Sequence, residues 1–242
     1  MLFRSDLPGE FRSSWKYVLA SAALFFVPLL ASGVAVIVSS DVAELMLPSM
    51  LLAEIKAGRT WFDIDLSKSP YAASFIMTNN IQVAILALAG GMLAGVGTAL
   101  VLVNNGLAIG AVAGALIAYG LGDRLVGFVS PHGFLELSVV VIAGACGLML
   151  GRAIVWADLR PRGRALVDAG ARSVRLLTGS QVFLVIAGLI EGFVSPAPFP
   201  WPYKLAIGVA TAVGLYAYLL LVGRPRPGRS RWGWRTTAAP VP

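Results

Sequence analysis

The chain has a single cysteine, Cys146, and a single histidine, His132, in 242 residues. One thiol excludes an intrachain disulfide and a thiolate metal cluster. One imidazole excludes a His-Glu-x-x-His helix, and no Gly-x-Ser-x-Gly turn supplies a nucleophile. Charge is also scarce: 13% of residues are charged against 57% hydrophobic, and mean hydropathy is +0.80. Too few polar residues remain to cover a soluble domain. Several apolar runs approach the ~20 residues that cross ~30 Å of hydrocarbon. The chain therefore reads as an all-α, polytopic membrane protein built as one bundle.

The net charge of +7 does not point to nucleic acid. Its arginines sit in short loops and at one terminus, where flanking charges set topology. Nucleic acid is excluded as a partner on that ground, and membrane lipid is implied.

Six spans are expected, at about 15–38, 75–103, 107–121, 134–155, 176–193 and 203–222. The first run exceeds a signal-peptide core, and Ala31-Ser32-Gly33 is a poor cleavage site. Residues 39–74 form the longest non-spanning stretch. Val42, Leu45, Met46, Met50 and Leu51 recur there at near-helical spacing, broken by Pro48. An interfacial helix ending at Gly58 follows, with Trp61 and Phe62 as anchors. This stretch is either a docking platform or a lid on the bundle.

Asn104-Asn105-Gly106 reads as a tight turn, so the short 107–121 run is a thin span or a re-entrant helix. Pro131 and Gly133 read as a break that puts His132 at the mouth of a helix. Residues 156–175 are a basic cytoplasmic loop with a surface helix, and Pro196 belongs to a rigid connector. The first 14 residues are a cytoplasmic N-terminus. Residues 223–242 are a disordered basic tail, where Trp232 and Trp234 between arginines suit anionic headgroups. With both ends cytoplasmic, fourteen basic residues lie inside and five outside. That bias sets the orientation.

Glycine pairs four residues apart, Gly91/Gly95, Gly110/Gly114 and Gly147/Gly151, let helices approach closely. Thr98 is expected to return its hydroxyl to its own helix backbone. No internal repeat is visible, which argues against an inverted-repeat transporter.

The costly residues gather toward the outer side. His132 and Glu136 share a helix face one turn apart. A carboxylate in lipid costs roughly 2.5–3.5 kcal/mol, so Glu136 must face protein, water or a partner. Glu191 and the Asn79/Asn80 pair fall at the same level. Three uses are open: a proton or solute relay, a metal site if Glu191 or outer-loop aspartates complete it, or a polar pin between helices. The pin is preferred because no nucleophile or cofactor cradle accompanies the cluster.

Asn79-Asn80, Gly91-xxx-Gly95-x-Gly97-Thr98, Asn105-Gly106-xxx-Gly110, Pro131-His132-Gly133-xx-Glu136-Leu137, Ala143-Gly144-xx-Gly147 and Glu191-Gly192-Phe193-xx-Pro196 occur in order. Together they resemble the stage II sporulation protein M family over about 75–222. The resemblance implies a bacterial or archaeal membrane protein without established catalytic activity. The family's namesake anchors a complex with two peptidoglycan-degrading sporulation proteins, D and P, during engulfment. The expectation is a multi-pass inner-membrane scaffold, non-enzymatic and without cofactor or metal. A homodimer through a small-residue face is expected, with cell-envelope partners at the outer loop. The alternative is a small transporter or permease subunit using Glu136 and His132.

Overall fold

In a bilayer each backbone amide must be paired within the protein, so apolar runs of this length become helices. The structure, a computed structural model, describes residues 2–60, 69–156 and 161–224, with the side chains of 69–77 outside the description. Among the described residues every regular element is helical. A short π-helical turn, Leu2–Asp6, leads into α1 (Leu7–Ser13). There follow α2 (Trp15–Val38), α3 (Ser40–Met46), α4 (Ser49–Lys56), α5 (Ser69–Ala89), α6 (Val96–Ala118), α7 (Gly122–Val155), α8 (Arg162–Phe193) and α9 (Trp201–Leu221).

Five of these, α2 and α6 to α9, are long and apolar enough to cross a membrane. The 21 residues of α5 give it the length of a sixth, about 32 Å at the usual rise. It begins at Ser69, ahead of the expected start near Phe75. The anchors Trp61 and Phe62 and the tail from 225 onward lie outside the described residues.

The spans alternate in direction, and both ends of the chain meet at one end of the bundle. There the Tyr218 hydroxyl donates to the Phe3 carbonyl at 2.7 Å. The Arg12 guanidinium donates to the Leu219 and Val222 carbonyls, both at 2.8 Å, closing the open C-terminal end of α9. The basic N-terminal half of α8 lies at this same end. The charge bias predicts that this end faces the cytoplasm, and the two ends are called cytoplasmic and outer on that expectation.

The centre of the bundle is α7. In its most apolar window 78% of residues are buried, against 22% for α2 and α9. It packs against α2, α5, α6, α8 and α9. Small residues line it, with Gly144, Gly147 and Gly151 each pressed against a neighbour.

Five sequence expectations are corrected. The 75–103 span does not exist as one helix: α5 stops at Ala89, and the chain reverses through Gly90–Met92 before α6 begins at Val96. Gly95 makes this reversal possible at φ +84°, with Ala94 also at φ 55°. Thr98 then bonds across the reversal to the Ala87 carbonyl at 2.7 Å, not to its own helix.

The turn at Asn105-Gly106 is likewise absent, since both lie inside α6. Unwinding there would strip amides of partners at membrane depth, and the Asn105 side chain bonds the Val101 carbonyl of its own helix at 2.8 Å. The 107–121 run is therefore the outer half of a full-length span.

Pro131 and Gly133 do not break α7, which continues from Gly122 to Val155. Pro131 has no amide proton to offer the Gly127 carbonyl four residues before it, yet the helix runs on past that missing bond. Finally, the basic loop is no loop beyond Pro161. Residues 162–175 and the expected fifth span form one 32-residue helix, α8. Pro196 does lie in a bend, just past its end.

The glycine pairs are consumed within the chain. A Cβ on Gly91 would meet Gly147 backbone, and one on Gly95 would stand 3.6 Å from the Gly151 Cα. Gly106, Gly110 and Gly114 of α6 meet, in that order, the backbone at Phe25, Leu29 and Gly33 of α2. The matching order shows the two helices to be parallel. A dimer face cannot be argued from these glycines.

At the outer end, α3 and α4 flank Pro48 and lie over α2, α6 and the start of α7. Ala43, Leu47, Leu52 and Ile55 are buried there against Val36, Ala111, Ala115 and Leu116. At the cytoplasmic end, Glu10 of α1 bonds Arg172 and Arg175 of α8, each at 2.8 Å. Burial alone would raise the Glu10 pKa, but hydrogen bonds from Arg175 and Arg172 and their charge outweigh it. The carboxyl is held below the usual 4.5.

Candidate functional site

Because α7 passes Pro131 without a break, His132 and Glu136 stand one turn apart on one face, directed into the bundle. The last turn of α8 brings Glu191 to them. One ligand atom from each of the three lies within 4.8 Å of the other two. All are buried: 3% exposed for His132, 7% for Glu136 and 1% for Glu191.

Other elements complete the surroundings. In the bend after α8, the Ser195 hydroxyl lies 2.9 Å from His132 Nδ1. The Ser195 carbonyl accepts from the buried Lys204 ammonium of α9 at 2.5 Å. Gly208, one turn further along α9, presses on the Ser130 carbonyl and so holds α9 close against α7. From α5 the Asn80 side chain approaches the Glu136 carboxylate. Phe128 meets the His132 ring edge to face, centroids 5.6 Å apart, and also packs under the α3–α4 layer.

Three carboxylate oxygens are left over. Glu136 Oε1 and both oxygens of Glu191 are buried without a hydrogen-bond partner. Two carboxylates converging away from water repel each other and lose hydration, a costly arrangement when nothing compensates it.

Of the residues singled out in the sequence, Asn80, His132, Glu136 and Glu191 come together. Asn79 does not; its side chain is exposed. Ser195 and Lys204 were missed. Ser195 is four residues after Glu191, a spacing readable only once the helix end is known. Lys204 is one of the five basic residues assigned to the outer side, and a lysine within an apolar run is itself a signal.

Fold and site together define a polytopic helical membrane protein with a buried polar centre toward its outer side. The chain belongs to the stage II sporulation protein M family, whose family model matches residues 21–196. It is also similar to the uncharacterized protein MJ0793 of Methanocaldococcus jannaschii. Identity is 28% over 123 residues, covering 50% of this chain and 69% of the relative. No solved structure matches the chain.

Proposed function

We propose that this protein is a non-enzymatic scaffold of the cytoplasmic membrane that holds cell-envelope proteins at its outer face. The observation that carries the reading is the α3–α4 layer. Its inner side is fixed to the bundle through Leu52 and Ile55, while Leu45 and Met50 stand 86% and 80% exposed on the other side. A layer anchored in this way offers apolar contacts without having to order itself on binding. Family membership supports the reading, since the shared name is that of a sporulation protein. By the resemblance described above, the partners belong to a peptidoglycan-remodelling complex.

The test is photo-crosslinking in native membranes from a reactive residue at Leu45 or Met50, with Leu189 on α8 as a lipid-facing control. Discrete protein adducts from the outer layer alone support a scaffold. Only lipid adducts at all three positions overturn it.

A second reading is favoured by the unpartnered oxygens of Glu136 and Glu191: a small transporter or permease subunit whose coupling ion or substrate visits that centre. It requires Glu136→Gln to abolish flux in liposomes while the fold survives. Flux unchanged in that variant removes it.

A further inference from the structure

We propose that His132, Glu136 and Glu191 bind one divalent cation of the zinc class. The inference does not rest on the scaffold reading.

The sequence left the third ligand open between Glu191 and the outer-loop aspartates; the fold delivers Glu191 from another helix. The resulting donor set is one imidazole nitrogen and two carboxylate oxygens. Those are ligands that a catalytic-type zinc centre takes, with water in the fourth position. Imidazole favours zinc, copper, iron or nickel over magnesium and calcium, which prefer oxygen alone. Ligands at about 2.0–2.2 Å in a tetrahedron stand about 3.3–3.6 Å apart. The three donor atoms already lie within 4.8 Å of one another. Small side-chain rotations close the difference, with no movement of helices.

A cluster of acids alone would carry no such inference. Here the second observation is the set of unpaired oxygens: Glu191 is 1% exposed with neither oxygen bonded, and Glu136 has Oε1 free. Polar atoms buried in this way require a partner, and a cation satisfies all three together. The neighbouring ammonium of Lys204 is engaged by the Ser195 carbonyl, and both Glu191 oxygens lack a hydrogen bond.

The supporting contacts have the form that holds metal ligands in place. Ser195 engages His132 Nδ1, so a proton donated there leaves Nε2 to carry a lone pair. Asn80 stands beside the Glu136 carboxylate, whose Oε1 is left without a partner for the ion to take. Phe128 fixes the plane of the ring. Ser195 and Asn80 act as positioning residues. The ion would tie α7 to α8 beneath the outer layer.

The test uses tag-free full-length protein in mild detergent, stripped with chelator, reloaded with zinc or magnesium, desalted and assayed by elemental analysis. The expected result is about one zinc per chain and no retained magnesium. Glu191→Gln loses the zinc, and Glu44→Gln on the outer surface keeps it. Ser195→Ala retains the site but weakens it by about 10–100-fold. Should Glu191→Gln fail to fold, cobalt loading of the wild type decides, because a four-coordinate nitrogen–oxygen site gives intense visible bands. Wild-type protein that holds no more zinc than Glu191→Gln, or gives only the weak six-coordinate cobalt spectrum, overturns the proposal.

Discussion

The carbonyl of Leu29 in α2 occupies the place where a side chain on Gly110 of α6 would begin. The two helices therefore touch backbone to backbone, with Gly106 and Gly114 repeating the contact one turn to either side. Gly110→Ala forces them apart or strains one of them, and overpacking of this kind costs about 1–3 kcal/mol. The expected outcome is a lower melting temperature in detergent. Gly214→Ala, which meets nothing within 4 Å, is the control. Equal melting of the two variants counts against the close contact.

Glu10 gives the cytoplasmic end its pH dependence. Its folded pKa is depressed, so its contribution is present above the unfolded value and is lost as pH falls through the folded one. The window therefore begins near 4.5 and extends downward. Glu10→Gln should cost about 1 kcal/mol, at the upper end for part-exposed pairs because one carboxylate serves two guanidiniums. Proteolysis at the junction of α1 and α2 should rise in that variant at neutral pH and in the wild type only at acid pH. Equal cleavage of both across that range refutes the contact.

Thr98→Val removes the hydroxyl that clasps the Ala87 carbonyl across the reversal between α5 and α6. A buried acceptor left unpaired costs about 1–3 kcal/mol. Thr98→Ser keeps the bond, so rescue of thermal stability by serine separates the hydrogen bond from the packing of the methyl group.

In chelator-stripped protein, Glu191→Gln should raise the melting temperature, because it removes a buried charge without a partner. After zinc loading the order should reverse. A variant less stable than the wild type under both conditions would show that Glu191 has a direct partner in the fold.

Topology can be read from cysteine labelling, since the native thiol, Cys146, is buried. Met50→Cys should react with an impermeant reagent from outside the cell and Arg164→Cys only after permeabilisation. Labelling of both from the same side removes the six-span arrangement.

Most of the bundle was legible because hydropathy reports directly on the solvent a segment meets. In the outer layer the apolar spacing suggested one interfacial helix ending at Gly58, where the structure has two, α3 and α4, on either side of Pro48. Two of the errors share one physical cause. Asn105-Gly106 and Pro131-Gly133 are breakers in water, where freed amides find solvent; in hydrocarbon those amides have nowhere else to go. The true reversal lies at Gly90–Gly95, within a run read as one long helix. Its glycines were noted for packing and not for turning, although the run was already too long for one span. Glu191 joined the centre as expected. Ser195 and Lys204 did not announce themselves, because their part depends on how α8 ends and how closely α9 returns at Gly208.

The bare contact of α2 with α6 has a mechanical corollary. Where Gly106, Gly110 and Gly114 meet the α2 backbone, no lipid tail can enter and neither helix can slide without lifting over a carbonyl. A bilayer that thins or thickens must therefore lean the two as a single strut, carrying the cap above them along.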